Sequence, residues 1–180
     1  SRSLQTRDFE THMPDISKIY KEYCERCQRA NAMDFDDLLV NLYVLFNNHP
    51  EILHKYSSNF EYILVDEYQD TNSVQQKIVC QLATVHNRVC AVGDDAQSIY
   101  AFRGANIDNM LGFENVFKGS RIFKLEQNYR STQRIVEAAN SLIRHNQRQI
   151  PKDVFSKNTE GDKLKLKMAY SDKEEALIVC

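Results

Sequence analysis

Two adjacent carboxylates, Asp66 and Glu67, follow the short apolar run Tyr62–Val65. An apolar run bounded by polar residues is typical of a strand buried on both faces of a parallel sheet. In open α/β sheets, ligands bind just beyond the carboxyl ends of the strands. Adjacent acids there suit a magnesium–phosphate site, in which one carboxylate holds the ion and the other orients or deprotonates an attacking water. An acidic turn after a core strand would give the same pair, and both interpretations stay open at this point.

A second chemical cluster lies within residues 92–105. Gln97 carries a neutral amide that can contact both a water and a phosphate oxygen. Tyr100, Phe102 and Arg103 place two aromatic rings and a cation within four residues, which suits stacking on unpaired bases. Inward packing of the two rings is the alternative, and the residue types alone do not separate the two.

A third cluster contains Tyr129 and Arg130. The tyrosine ring can stack on a purine. The guanidinium can neutralise the charge that develops on a transferred phosphoryl group, a role worth roughly 10³–10⁵ in rate where it operates. A salt bridge of Arg130 to Asp66, Asp70 or Asp94 is the structural alternative, and it is compatible with the catalytic role because an arginine awaiting phosphate often rests on a carboxylate.

Strand and helix patterns alternate along the chain and would place these clusters at one edge of a sheet. Short apolar runs predict strands at Tyr62–Val65, Arg88–Val92 and Arg121–Leu125. Apolar residues at helical spacing predict helices that begin near Asp15, Phe35, Pro50, Ser73 and Ser131. Since strands that alternate with helices form βαβ units, we expect an α/β fold with a parallel sheet flanked by helices.

Local signals mark the starts of two of these helices. Asp34 is the predicted N-cap of the helix that begins at Phe35, and Pro50 fits the first turn of the following helix. On the first helix, Cys24 and Cys27 lie on the apolar face. Because no second cysteine pair follows at zinc-site spacing, core packing is favoured over metal or redox chemistry for these two thiols.

The pattern changes in the last thirty residues. The run Lys163–Met168 alternates strictly between charged and apolar residues and predicts an exposed or edge strand. Ser171 and Glu174 have the spacing of a capping box that opens a further helix. We therefore predict one domain over residues 1–150 and the start of a second over residues 151–180.

Composition limits the class of protein. The apolar fraction of the 180 residues is ordinary for a globular protein, and no apolar run approaches membrane-spanning length. Five cysteines do not suggest a secreted disulfide framework, so we expect a cytoplasmic protein. Residues 1–117 hold 10 Lys and Arg against 17 Asp and Glu, whereas residues 118–180 hold 13 against 8. The mildly basic second part can face phosphates.

Four stretches resemble, in family order, motifs of superfamily 1 DNA helicases of the UvrD/Rep/PcrA type. The sequence Val65–Asn72 resembles their Walker B motif (motif II), Val92–Ala105 their motif III, and Leu125–Thr132 their motif IV. Asp34–Leu39 resembles the DFDDLL stretch that precedes motif II. The resemblance covers about residues 30–135 and implies part of a RecA-like P-loop NTPase motor domain.

The resemblance implies a role in ATP hydrolysis for five residues. Asp66 would hold Mg²⁺, and Glu67 would activate the attacking water. Gln97 would sense the γ-phosphate and couple it to DNA. Tyr129 would stack on adenine, and Arg130 would act as an arginine finger.

The resemblance also implies contact with DNA. Tyr100, Phe102 and Arg103 would meet the single strand, with Phe102 standing where many relatives have tryptophan. The protein so identified would couple ATP hydrolysis to 3′–5′ translocation on single-stranded DNA and to duplex unwinding, in repair or replication.

The 180 residues do not include a phosphate-cradling P-loop, because no glycine is followed by Lys-Ser or Lys-Thr. We therefore expect an internal piece of a helicase that carries about half of an ATPase site and is inactive alone. An exposed sheet edge in such a piece creates a risk of self-association.

Two alternatives belong to other classes of protein. One is a non-catalytic nucleic-acid-binding or partner-binding module that has lost its P-loop. The other is a metal-dependent nuclease whose acids are Asp66, Glu67, Asp70, Asp94 and Asp95, but Gln97, Tyr129 and Arg130 have no natural role in it.

Overall fold

The computed structural model describes residues 15–180, which divide into two compact units. The first unit comprises residues 15–67 and 71–92, and the second comprises Tyr68–Asp70 and Gly93–Cys180. Each unit has its own buried residues and its own pair of parallel strands.

The first unit contains four helices and two strands. They are α1 (Ile16–Arg29), α2 (Phe35–Asn48), α3 (Pro50–Asn59), β1 (Ile63–Val65), α4 (Ser73–Leu82) and β2 (Val89–Ala91). Helix α2 begins where predicted, because the Asp34 side chain accepts from the Asp37 N–H and Asp37 accepts in return from the Asp34 N–H. Pro50 is in the first turn of α3, also as predicted.

Strands β1 and β2 pair in parallel, with Ile63 opposite Val89 and Val65 opposite Ala91. The pairing confirms a parallel arrangement of the first two predicted strands, although each strand is shorter than predicted. Phe46, Ile78 and Ala83 are buried on the helices and the adjoining turn that form the core of this unit. The carboxyl end of β1 is thereby fixed at one edge of the strand pair.

Helix α1 forms as predicted, but its apolar face is not buried. Ile19, Tyr20 and Tyr23 are exposed, and Cys24 and Cys27 are only half-buried. The period of the apolar residues predicts the helix correctly, whereas burial also requires a neighbouring surface, and the described residues place none over this face.

The second unit contains four helices, two strands and three 3₁₀ turns. The helices are α5 (Asp108–Leu111), α6 (Phe113–Val116), α7 (Gln133–Ile143) and α8 (Asp172–Val179), the strands are β3 (Gln127–Asn128) and β4 (Phe155–Ser156), and the turns are Tyr68–Asp70, Asp95–Gln97 and Ala101–Arg103. The rings of Tyr68 and Phe113 pack edge-on with their centroids 5.5 Å apart. The centroids of the Phe113 and Phe117 rings are 4.8 Å apart. This aromatic group and the buried Val136 form the core of the unit.

Two predicted strands are absent from the described part of the chain. Residues Arg121–Leu125 form no ladder, and the strand that follows is the two-residue β3, which pairs in parallel with β4. Residues Lys163–Met168 likewise form no strand. Both predictions rested on apolar patterns, but a strand exists only where a partner supplies backbone hydrogen bonds, and neither segment has such a partner within residues 15–180. The mixed α/β character is confirmed, and a full RecA-like sheet stays a prediction.

The predicted helix near the chain end is present. The Ser171 hydroxyl accepts from the Glu174 N–H at 3.2 Å, whereas the Glu174 carboxylate accepts from the Tyr170 N–H at 2.8 Å rather than from Ser171 itself. Among residues 15–180, no helix has the length and apolar character needed to cross a membrane. The division into domains at residue 150 stays a prediction.

Candidate functional site

The acid pair follows β1 directly, and both carboxylates are exposed. The Glu67 N–H donates to Asp66 Oδ1 at 2.9 Å, and Glu67 has a φ of 48°. The left-handed region is uncommon for a residue with a side chain such as glutamate and costs of order 1 kcal/mol or more. A strained backbone at the carboxyl end of a strand marks this turn as a position where side-chain placement matters more than local stability.

The donor set of this turn fits a hard divalent cation. Mg²⁺ is bound by carboxylate oxygens and retains several waters, so it needs one or two protein carboxylates with solvent access. Asp66 and Glu67 provide these groups in the first unit. Within residues 15–180, no cluster of three or more His, Cys, Asp or Glu side chains forms an all-protein metal cage.

Gln69 connects two loops of the second unit. Its side chain is fully buried, and its Oε1 atom accepts from the Asp94 N–H at 3.0 Å. A Cβ atom on Gly93 would lie only 2.5 Å from that Oε1 atom. A side chain at position 93 would therefore force the buried Gln69 amide to shift, which favours glycine there.

Gln97 is exposed at the end of the 3₁₀ turn Asp95–Gln97, and Asp94 orients it. The Gln97 Nε2 atom donates to Asp94 Oδ2 at 2.8 Å, while Asp94 Oδ1 accepts from the Ala96 N–H at 3.0 Å. The amide that the sequence singled out is thus held by a carboxylate three residues earlier.

Lys152 binds the acid pair that precedes Gln97. Its Nζ atom lies 2.5 Å from Asp94 Oδ1 and 2.6 Å from Asp95 Oδ1. The Lys152 side chain is 19% exposed and that of Asp95 1%. Burial favours the neutral forms, but the hydrogen bonds and charges of the cluster outweigh it, so the pKa of Asp94 is lowered and the pKa of Lys152 is raised.

The ammonium group of Lys152 lies between Asp94 and Asp95, two of the five acids that the nuclease hypothesis assigns to metal binding. This observation disfavours the nuclease alternative.

The side chains of Tyr100, Phe102 and Arg103 form a cluster, which we call the aromatic platform. Tyr100 is 37% exposed and Phe102 is 79% exposed, and their ring centroids lie 6.0 Å apart. The Arg103 guanidinium carbon lies 5.2 Å from the Tyr100 centroid and 5.4 Å from the Phe102 centroid. The rings do not pack inward, and a cation beside two accessible aromatic faces can bind stacked bases and phosphates.

Tyr129 and Arg130 follow β3 and are both exposed. The Asn128 side chain accepts from the Arg130 N–H at 2.9 Å and so shapes this turn. The Asn158 amide donates to the Tyr129 carbonyl at 3.2 Å. Within the described residues of the second unit, Arg130 pairs with no carboxylate, and Asp94 pairs with Lys152 instead.

The eight predicted site residues therefore form four groups. One group, the acid pair, is on the first unit. Three are on the second unit: Gln97, the aromatic platform, and the pair Tyr129 and Arg130. The sequence reasoning missed Gln69, Lys152 and Asn158, which orient these groups. The neutral amide of Gln69, two residues after Glu67, was a signal in the sequence. Lys152 and Asn158 gave no local signal, since their partners lie 58 and 29 residues away in the chain.

Comparisons with protein families match the chain along nearly its whole length. The profile of the UvrD/REP helicase N-terminal domain matches residues 2–118. The profile of the UvrD-like helicase C-terminal domain matches residues 123–180.

Individual relatives agree with these matches. The chain is 43% identical over 172 residues to an ATP-dependent DNA helicase PcrA of Staphylococcus epidermidis. The aligned region covers 96% of this chain and 23% of the relative. It is 46% identical over 174 residues to a probable DNA helicase II homolog of Rickettsia felis. That alignment covers 96% of this chain and 27% of the relative. The chain thus spans about a quarter of the length of these relatives.

Proposed function

The chain belongs to the UvrD/REP helicase family, and we propose that it supplies part of the ATP site and of the single-stranded DNA contact surface of a 3′–5′ DNA helicase. The observation that carries the proposal is the exposed acid pair after β1, held with Glu67 in the left-handed region. A strained turn at the carboxyl end of a parallel strand is where an α/β protein binds its ligand.

The proposal assigns a role in ATP hydrolysis to five residues, two on the first unit and three on the second. Asp66 would hold Mg²⁺, which would supply positive charge next to the phosphate oxygens. Glu67 accepts the proton of the attacking water. Gln97 presents its amide to the γ-phosphate, Arg130 stabilises the charge that develops on the transferred group, and Tyr129 stacks on the adenine.

The aromatic platform forms the proposed DNA contact. Each base that stacks on an aromatic ring contributes about 1–3 kcal/mol, and stacking tolerates any base because every base has a flat face. Tyr100 and Phe102 offer such faces, and Arg103 adds a charge that attracts phosphate. Stacking of this kind suits translocation, which requires binding without sequence preference.

Hydrolysis also requires backbone amides and a lysine that hold the β- and γ-phosphates, and no stretch of the 180 residues has the glycine–lysine pattern for them. We infer that this chain alone binds ATP weakly and does not hydrolyse it. Calorimetry with ATP and Mg²⁺ on the chain Ser1–Cys180 measures this, and tight Mg²⁺-dependent binding would contradict it.

The role of Glu67 is tested in the full-length protein that carries this chain. Glu67→Gln keeps the shape of the side chain but removes the proton acceptor, so ATP binding is retained and the hydrolysis rate falls by about 10²-fold or more. Glu61→Gln is the matched control, because Glu61 is an exposed glutamate two residues before the same strand. Retained hydrolysis in Glu67→Gln would refute the assignment.

A non-catalytic nucleic-acid-binding module is the second candidate, because the exposed aromatic platform can bind single-stranded DNA without a nucleotide. It predicts single-stranded DNA binding without any dependence of that binding on nucleotide in the full-length protein. Binding that changes when ATP is added would exclude this candidate.

A further inference from the structure

The segment Arg148–Lys152, which we call the strap, runs along the loop that carries Gln97. Arg148 forms an ion pair with Asp108, and the Ile150 N–H donates to Asp95 Oδ2 at 2.7 Å. Alternate residues of the strap therefore each bind an aspartate of residues 94–108. The strap holds this loop through the side chains of Arg148 and Lys152 and the backbone N–H of Ile150, all distant from the loop in sequence.

Lys152 is the strap residue that acts on the Gln97 amide, and it does so through one carboxylate. Asp94 uses Oδ1 to accept from Lys152 and from the Ala96 N–H, and it uses Oδ2 to accept from Gln97. With both oxygens engaged, the carboxylate plane has one orientation. Because the Gln97 Nε2 atom donates to this carboxylate, the Oε1 atom of the same amide is left to accept from a water or a ligand.

Removing the ammonium group would change this geometry. Asp94 and Asp95 would face each other without a cation between them, and the Asp95 side chain is too buried for water to solvate its charge. Asp94 is partly exposed and can relieve the repulsion by rotating. Such a rotation moves the Oδ2 atom on which the Gln97 amide rests.

We propose that Lys152 is a positioning residue that holds the Gln97 amide in its working orientation through Asp94. The orientation itself is a property of the chain without ligand. Its consequence for catalysis rests on the role proposed above for Gln97. The two are tested by separate measurements.

The orientation is measured by the side-chain amide signal of Gln97 in ¹H–¹⁵N spectra of the chain Ser1–Cys180, assigned through its loss in Gln97→Ala. In Lys152→Met we expect this signal to move toward the position of a freely exposed glutamine, and in Lys152→Arg we expect it to stay close to the wild-type position. Arg148→Met is the matched control, since it removes an ion pair of the same strap without touching Asp94. Lys152→Gln, which retains a donor, replaces Lys152→Met if that variant does not fold.

A Gln97 signal that is unchanged in Lys152→Met or Lys152→Gln would overturn the inference, and so would an equal displacement in Arg148→Met. In the full-length protein, Lys152→Met should lower the kcat for ATP about 10–100-fold, as loss of an orienting partner does, with the KM for ATP unchanged. Lys152→Arg should restore most of the rate. If Gln97→Ala retains full ATPase activity, the proposed role of Gln97 falls, while the amide signal still decides whether Lys152 positions it.

Discussion

Glu67 combines a strained backbone with the chemistry proposed for it, and the two can be separated by substitution. Asparagine adopts the left-handed region more readily than glutamate. We expect Glu67→Asn to raise the free energy of unfolding by about 0.5–1 kcal/mol, because it relieves part of the cost of a φ of 48°. Urea unfolding of the chain measures the change.

The control for this prediction is Glu61→Asn. Glu61 is also exposed, but its φ does not lie in the left-handed region, so the same substitution brings no relief there. A Glu67→Asn variant that is no more stable than the wild-type chain would show that interactions of the glutamate side chain outweigh the strain. The gain in stability should accompany a loss of ATP hydrolysis in the full-length protein, as expected where a site is kept at the expense of stability.

The cluster of Lys152, Asp94 and Asp95 gives stability a dependence on pH. The lowered pKa of Asp94 adds stability that is present above its ordinary value of 3.8 and is lost as the pH falls through the folded-state value. The raised pKa of Lys152 adds stability that is present below its ordinary value of 10.5 and is lost as the pH rises through the folded-state value. We expect the difference in Tm between the wild-type chain and Lys152→Met to be constant from about pH 5 to 9 and to shrink toward both extremes. Thermal unfolding of both chains from acid to alkaline pH measures this Tm difference. A Tm difference that stays the same at all pH values would contradict a stabilising role of the ion pairs.

At the scale of elements, helix α4 illustrates how a local signal determines a helix start. Asn72 Oδ1 accepts from the N–H groups of Val74 and Gln75, each at 2.9 Å, and Gln75 accepts from the Asn72 N–H. Asn72→Ala removes these acceptors and should lower the free energy of unfolding by about 1 kcal/mol. Asn72→Ser keeps an acceptor and should cost much less in the same denaturant experiment. Equal losses in both variants would mean that the cap does not stabilise α4.

The elements that were predicted correctly depend on neighbours in sequence. Asp34 caps α2 through a residue three positions later, and Pro50 fits the start of α3 by its own backbone geometry. Both helix starts can therefore be predicted from the local sequence. The segment Arg121–Leu125 has the residues of a strand but no partner strand within residues 15–180, and pairing is a property of two segments. Lys152 could not be found in this way, because only folding brings it to Asp94 from 58 residues away.

The same distinction applies to the candidate site. Asp66, Gln97 and Arg130 were identified from residue type and position relative to predicted strands. The orientation of Gln97 depends on its hydrogen bond to Asp94, whose own N–H donates to Gln69 Oε1 across 25 positions of the chain. Sequence patterns therefore identify side chains that can do chemistry. The residues that orient those side chains are found only from the tertiary structure.

At the scale of the whole molecule, apolar side chains without ladder partners predict association between copies. Phe123 and Leu125 are 80% and 87% exposed in a segment with strand-like composition. The formal net charge of only −2 gives little repulsion between copies. We expect the chain Ser1–Cys180 to form dimers or larger species at micromolar concentrations, which sedimentation velocity measures.

Leu125→Lys should shift this equilibrium toward monomer, because a charge on an unpaired strand opposes pairing with another chain. Leu177→Lys is the matched control, since Leu177 is also a highly exposed leucine of the second unit but lies in helix α8, whose backbone hydrogen bonds are internal. Both variants add the same charge, so a general effect of repulsion would act equally in both. A stronger effect of Leu125→Lys would assign the association to strand pairing, whereas equal effects would assign it to exposed apolar area alone.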